Sequence, residues 1–347
     1  MSAGSGSFLT IDTGAIADNY RTLRTKAGTE CAGVVKANAY GLGVEAVVPA
    51  LSDAGCREFF VAQAREGIAV RALAEGAIYV LGGIHTGTKD DFTRHKLIPV
   101  LNSLHDIAAW EGPCVLHFDT GMNRLGLSAA EADMLEQHPE LLSKLDVVLA
   151  MSHFACSDEK DHTMNAAQVA RFENLRARFN FPRWSLANSS GIFRAPCYDL
   201  ARPGFALYGG NPTPEAPNPM KPVVRLDARI LQLRDESAGE TIGYGATYKF
   251  TTRRQTATLG FGYADGFHRA FAGAQVYFDG RPCPVLGRIS MDLICVDVTH
   301  LPESPMEGGL MEVLGPHQSI DQLAHACGTI GYEVLTSLGM RYARLYI

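Results

Sequence analysis

The sequence predicts an N-terminal (β/α)8 barrel of the TIM type followed by a mostly β C-terminal domain. Three observations carry this. Between residues 12 and 210, short β-branched or aromatic runs alternate with longer segments of helical period. Residues 211–222 then hold five prolines in twelve positions, a composition that no helix interior or central strand tolerates. From 223 to 347 the helical period gives way to strand-like runs broken by turns such as Asp279-Gly280. The expected organisation is a lead-in and strand at 1–11 that joins the β-domain, a barrel at 12–210, a linker at 211–222 and a β-domain at 223–347.

Taken in order, residues 1–7 are Gly/Ser-rich and residues 8–11 read as a strand. Ile16, Tyr20 and Leu23 recur at helical spacing after Asp12 and Thr13, which can cap a helix. Strand-like runs follow at 31–35, 58–62, 78–81, 97–101, 114–119, 146–151, 183–187 and 197–202. Helical stretches lie between them, for instance 63–74, 129–138 and, most clearly, 165–179. Eight repeats favour a closed barrel over a doubly wound sheet, which needs a Gly-rich first turn. Here a lysine, Lys36, follows the first strand instead. In the second domain, strands are expected at 223–233, 248–252, 257–262, 274–278 and 293–298, with a short helix near 319–327 closing the chain.

Composition narrows the function. The 347 residues are 46% hydrophobic and 20% charged, which describes an ordinary globular protein. A net charge of −6 without a Lys/Arg block argues against nucleic acid or an anionic membrane as partner. No apolar run approaches transmembrane length. Eight cysteines at 31, 56, 114, 156, 197, 283, 295 and 327 form no Cys-x-x-Cys motif. With no signal-peptide pattern at the N-terminus, they suggest reduced thiols and a cytoplasmic location.

Active sites on this fold lie at the C-terminal ends of the strands. That rule gathers Lys36 after strand one, 119–124 after strand five, Ser152-His153 after strand six, Asn188-Ser189-Ser190-Gly191 after strand seven and Arg202-Pro203-Gly204 after strand eight. Position alone makes Lys36 a strand-end lysine reaching for water. The loops after strands seven and eight, however, often build a phosphate site, and Ser189 and Gly204 offer a hydroxyl and close-approaching backbone N–H groups. A lysine amine facing a phosphate cradle suits a cofactor with an aldehyde and a phosphate, and pyridoxal phosphate is the obvious candidate.

The motifs resemble those of the alanine racemase family over nearly the whole chain. Val34-Val35-Lys36-Ala37-Asn38-Ala39-Tyr40-Gly41 is similar to its cofactor-lysine motif, and Asp119-Thr120-Gly121-Met122-Asn123-Arg124-Leu125-Gly126 to its substrate-arginine loop. Gly262-Tyr263-Ala264-Asp265-Gly266 resembles its catalytic-tyrosine motif, and Gly287-Arg288-Ile289-Ser290-Met291-Asp292 its second-domain substrate loop. The resemblance implies pyridoxal 5'-phosphate as cofactor. It implies interconversion of L- and D-alanine, supplying D-alanine for cell-wall peptidoglycan. Lys36 and Tyr263 would be bases on opposite faces of the substrate, and Arg124 and Met291 would contact its carboxylate. Tyr40, Asn188, Ser189, Gly204 and Phe205 would hold the cofactor, with Arg202 facing its ring nitrogen and His153 pairing with Arg202 behind the ring. It further implies a homodimer in which Tyr263 and Met291 reach the barrel of the other subunit.

Racemisation removes a Cα proton and returns one to the other face, which two opposed bases accomplish without rotating the intermediate. Lysine and tyrosine are poor bases at their ordinary pKa values of about 10.4 and 10, so a dry, cationic pocket is needed. Taken singly the same residues have duller readings. Arg124 could pair with Asp119, His153 could be a satisfied core histidine, and Tyr263 could be a packing tyrosine. Asp158, Glu159, Asp161 and His162 read as a solvated loop, so no metal is expected.

Three positions depart from the family pattern. Many members carry a carbamylated lysine one residue before the Asp-Thr-Gly of the arginine loop, whereas here His117 and Phe118 precede Asp119. Near the C-terminus Met340 precedes Arg341 where a phosphate-binding tyrosine is common, and the nearest tyrosine is Tyr342. Leu42 replaces a histidine between the glycines of the lysine motif. A barrel-fold decarboxylase of diamines or basic amino acids would require a Cys-Asp/Glu-Ser context that Cys283 and Cys295 lack. A barrel-only cofactor-binding protein would lack Tyr263. A serine or broader-specificity racemase stays open, because a small pocket discriminates one hydroxyl poorly.

Overall fold

The computed structural model describes residues 6–271 and 274–347, so residues 1–5 of the lead-in expected at 1–7 lie outside them, and the strand expected at 8–11 begins at Ser7. The chain divides into two compact units, residues 14–221 and residues up to 13 together with 222–347.

The first unit is an α/β barrel. Seven parallel strands hydrogen-bond in sequence: Gly33–Val34, Glu58–Val61, Ala77–Val80, Leu97–Leu101, Gly112–His117, Leu145–Met151 and Trp184–Ser185. Leu200–Ala201 pairs in parallel with Glu30–Cys31. Ala32 N–H donates to Ala201 O at 2.9 Å and Val34 N–H to Pro203 O at 3.0 Å, while Arg202 N–H donates to Ala187 O at 2.9 Å. These bonds join the eighth strand to both the first and the seventh and close the ring. The strands are buried on both faces, with Phe59, Phe60 and Val61 all at 0% exposure, so they read as continuous apolar runs.

Helices Val44–Asp53, Ala64–Arg71, Lys89–Arg94, Leu104–Ala109, Ala129–Gln137 and Thr163–Arg178 follow the first six strands. Only the single turns Gly191–Phe193 and Phe205–Tyr208 follow the last two. Helix starts are set by local caps: Ser128 accepts from Glu131 N–H, whose carboxylate accepts in return from Ser128 N–H at 2.8 Å.

The second unit is a ring of antiparallel strands. Val224–Glu236 pairs on one side with Arg254–Leu259 and on the other with Leu310–Leu314, and Ile294–Asp297, Arg281–Leu286 and Gln275–Phe278 complete the circuit. Ser7–Ile11 adds to Val224–Glu236 antiparallel, and Ala343–Tyr346 adds to Ser7–Ile11 in parallel. The helix expected near 319–327 is present as Ile320–Ala326 but does not close the chain, because a second helix, Gly331–Ser337, and the strand Ala343–Tyr346 follow it. The run expected at 248–252 shortens to the two-residue strand Tyr248–Lys249.

Candidate active site

Lys36 stands where the first barrel strand ends. The chain then winds left-handed, since Ala37, Asn38, Ala39 and Tyr40 have φ of 53°, 55°, 52° and 55°. Four consecutive non-glycine residues in this region cost about 1–2 kcal/mol each. The turn is held from several sides. Ala37 N–H donates to Glu66 Oε1 at 2.7 Å, Gly41 N–H to Ala37 O at 2.8 Å, and Val44 N–H to Asn38 Oδ1 at 2.8 Å. Glu66 Oε2 accepts in turn from Ala62 N–H at 2.8 Å, so one carboxylate ties the lysine loop to the end of the second strand. Burial lowers the pKa of the Lys36 ammonium and the Arg124 guanidinium pushes the same way, with Glu66 opposing.

Tyr40, delivered by this turn, lies over the loop after strand eight. Its ring packs on Tyr208 at a centroid distance of 4.7 Å, and a Cβ added to Gly204 would fall 2.2 Å from its hydroxyl oxygen. Ser189 Oγ accepts from Gly204 N–H at 3.0 Å and Ala206 N–H at 3.2 Å. Two hydroxyls and a run of turn amides therefore meet around a glycine that must lack a side chain, a constellation suited to phosphate oxygens. The Phe205 ring packs against Gly210, so this residue offers the site its backbone. Asn188 Oδ1 is committed to Ser157 Oγ at 2.8 Å and Gly191 N–H at 2.9 Å.

Arg202 is 4% exposed and faces no carboxylate among the described residues. Its guanidinium donates to Ser185 Oγ, to Ser152 O at 2.5 Å and to His153 Nδ1 at 3.4 Å. Burial pulls its pKa down to about 9, which leaves it charged at neutral pH. Arginine can only donate, so Nδ1 of His153 is the acceptor and its proton resides on Nε2. Burial and then the Arg202 charge hold the His153 pKa well below the ordinary histidine range. Gln168 Nε2 supports the same strand end by donating to His153 O at 2.9 Å and Thr120 Oγ1 at 3.1 Å.

Arg124 is exposed on the loop after strand five. Asp119 does not pair with it. Asp119 Oδ1 instead accepts from the N–H groups of Gly121, Met122 and Asn123 at 2.8, 2.9 and 3.2 Å, folding the loop beneath the arginine. His117 is 9% exposed and contacts Asn102.

In the second unit, Tyr263 and Met291 are 41% and 53% exposed and are carried on adjacent loops. Tyr263 N–H donates to Ser290 O at 3.0 Å and Ala264 N–H to Met291 O at 2.9 Å. A Cβ on Gly262 would lie 2.5 Å from both carbonyl oxygens, so only glycine allows the approach. Tyr342 is 6% exposed and its hydroxyl donates to Asp265 O, which makes it a prop of the Tyr263 turn.

Sequence reasoning passed over Glu66, Asn102, Asp265 and Arg341. Asn102 ends strand four, where the strand-end rule would have found it, and Asp265 lies inside the tyrosine motif. Glu66 leaves no comparable trace in sequence, and Arg341 entered only as the residue after Met340.

The chain matches the alanine racemase N-terminal domain over residues 11–212 and the alanine racemase C-terminal domain over 223–346. It is 48% identical to an alanine racemase of Acidiphilium cryptum, covering 97% of this chain and 98% of that one. It is 47% identical to a catabolic alanine racemase of Mesorhizobium japonicum, covering 99% and 94%. Among solved structures, alanine racemase from Bartonella henselae with covalently bound pyridoxal phosphate superposes at a TM-score of 0.95, with 39% identity over 99% of this chain and 100% of that one. The biosynthetic alanine racemase of Pseudomonas aeruginosa gives 0.91, with 34% identity over 99% of each chain.

Proposed function

The chain belongs to the alanine racemase family, and we propose from that membership and from its own geometry how its residues divide the work of racemisation. The activity is that of an alanine racemase, an isomerase that interconverts L- and D-alanine with pyridoxal 5'-phosphate as cofactor. The observation that carries the residue assignment is the pairing of Lys36 with the Tyr40–Ser189–Gly204 cradle in one barrel.

The cofactor fits the residues present. Ser189 and Tyr40 hydroxyls with the Gly204 and Phe205 backbone would hold its phosphate, and Lys36 would bind its aldehyde carbon. Arg202, buried without a carboxylate among the described residues, would face the ring nitrogen, and Asn188 would line the site from the loop after strand seven. When bound, the cofactor supplies the electron sink that lets a Cα proton leave. Arg202 stays charged and offers the ring nitrogen only donors, which tempers that sink and restrains side reactions.

Lys36 Nζ takes or returns the proton on one face and Tyr263 Oη on the other. Burial of Lys36 favours its neutral, basic form. The Nε2 proton of His153, backed by Arg202 at Nδ1, is the donor that steadies a Tyr263 phenolate. Arg124 and Met291 bind the substrate carboxylate and fix Cα between the two bases.

The protein acts as a homodimer, with Tyr263 and Met291 of one copy serving the barrel of the other. Their exposure, 41% and 53%, supports this. The enzyme type carries the expectation that its D-alanine serves peptidoglycan, and the eight cysteines, all free thiols, accord with a cytoplasmic location. The test is to incubate holoenzyme with L-alanine and follow D-alanine, with Lys36→Ala as control. Racemisation that vanishes only in the variant is expected, and no D-alanine from the holoenzyme would refute the reading.

A further inference from the structure

The loops that carry Tyr263 and Met291 are tied by a residue outside both. Arg341 Nη1 lies 2.8 Å from Asp292 Oδ1, and Arg341 Nε lies 3.4 Å from Asp265 Oδ1. Asp292 follows Met291 directly, and Asp265 is two residues past Tyr263. Asp265 is 4% exposed and clamps its own turn, with Oδ2 accepting from Gly262 N–H at 2.9 Å. Its carbonyl oxygen accepts from the Tyr342 hydroxyl and from Gly339 N–H at 3.4 Å, so the strand-leading segment 339–342 grips the turn from three points.

We propose that Arg341 is a positioning residue that fixes the spacing between Tyr263 and Met291 by spanning Asp265 and Asp292. The inference rests on the reading of Tyr263 as base and Met291 as carboxylate contact. The two backbone bonds between the loops bring main chains together, but the side chains of Tyr263 and Met291 are exposed, so packing within this unit does not aim them. A planar guanidinium with donors in a fixed fork sets the distance between two carboxylates, as a flexible ammonium cannot. Stability alone is a weak reason for the arrangement, because Arg341 and Asp292 are about half exposed and such pairs contribute little. Fixing geometry is the stronger one, since small displacements of catalytic groups cost rate steeply.

The test is kinetic and uses the holoenzyme. Arg341→Met should lower kcat/KM by about tenfold to hundredfold. The enantiomers have equal free energy, so kcat/KM must fall equally in both directions and cannot by itself locate the damage. Cα-deuterium isotope effects can. If the strap aims Tyr263, the isotope effect on kcat/KM should rise for the enantiomer deprotonated by Tyr263 and fall for the one deprotonated by Lys36. Loss of folded enzyme would lower the rate and leave both effects unchanged. Arg341→Lys and Asp292→Asn should give smaller changes in the same opposed senses, and they decide the matter if Arg341→Met does not fold. Full activity in Arg341→Met, or isotope effects that do not move in these variants, would overturn the proposal. Tyr263→Phe is the separate control: undiminished racemisation there would overturn the role of Tyr263 and the strap with it. A dead Tyr263→Phe beside unmoved isotope effects in the Arg341 series would remove the strap alone.

Discussion

Asn102 holds His117 in one tautomer. The Asn102 amide donates to Leu81 O at 3.3 Å and Val100 O at 3.0 Å, which turns its Oδ1 toward His117 Nδ1 at 2.8 Å. His117 Nδ1 must therefore carry the proton, and Nε2 is left as an acceptor. Burial and the charges of Arg202 and Arg124 push the His117 pKa down to about 4, so a neutral imidazole stands at the position where the family resemblance implies a carbamylated lysine.

An imidazole has no amine to take up carbon dioxide, so racemisation should be indifferent to added bicarbonate. Rates in carbon-dioxide-depleted and bicarbonate buffers check this, and stimulation would contradict it. Losing the imidazole leaves Asn102 Oδ1 without its partner, and an unsatisfied buried acceptor costs about 1–3 kcal/mol, so His117→Ala should lower the urea midpoint accordingly.

The same histidine makes the protein acid-sensitive. Above pH ~6.5 both folded and unfolded chains hold it neutral. Below that the unfolded chain binds a proton that folded His117 refuses until about pH 4. Stability should fall as pH drops through this window, by about 3 kcal/mol for His117 alone, and His153 shifts in the same direction. Urea midpoints between pH 7 and pH 4 measure it, and His117→Gln should flatten the slope.

Gly204 has φ −124°, outside the left-handed region, and its surroundings are crowded. The added Cβ would stand 2.2 Å from the Tyr40 hydroxyl oxygen. Gly204→Ala should weaken cofactor affinity by about tenfold or more through the displaced hydroxyl. Titration of the apoenzyme with pyridoxal phosphate reads this, and an unchanged dissociation constant would separate Tyr40 from the phosphate.

Gly262→Ala probes the other unit. Its Cβ would meet Ser290 O and Met291 O at 2.5 Å, parting the loops that bear Tyr263 and Met291. We expect cofactor absorbance to persist while kcat falls about tenfold to hundredfold. Full turnover would show that the spacing of these loops is not critical.

The barrel was legible because its strands are buried on both faces. The run 58–62 needs no alternation to be read, and it appears as Glu58–Val61. The β-domain was less so. Arg281–Leu286 was missed because Pro282 and Pro284 argue against a strand. They alternate with Cys283 and with Val285, whose N–H donates to Ala274 O at 3.0 Å, so the missing donors fall outside the ladder to the neighbouring strand. In the site, Lys36 was legible from the strand that delivers it. The left-handed turn after it was not, since of Ala37, Asn38, Ala39 and Tyr40 only Asn38 is a residue type that accepts such φ readily. A tertiary bond from Glu66 and a short-range one from Val44 hold that conformation, and no run of residue types announces them.

The strand Ser7–Ile11 lies between Val224–Glu236 and Ala343–Tyr346. During synthesis it must wait for more than two hundred residues, the entire barrel among them, before either partner exists. The enclosed barrel can fold first, leaving the β unit to knit its earliest strand to its latest. Removing the earliest strand or the latest therefore injures one and the same sheet.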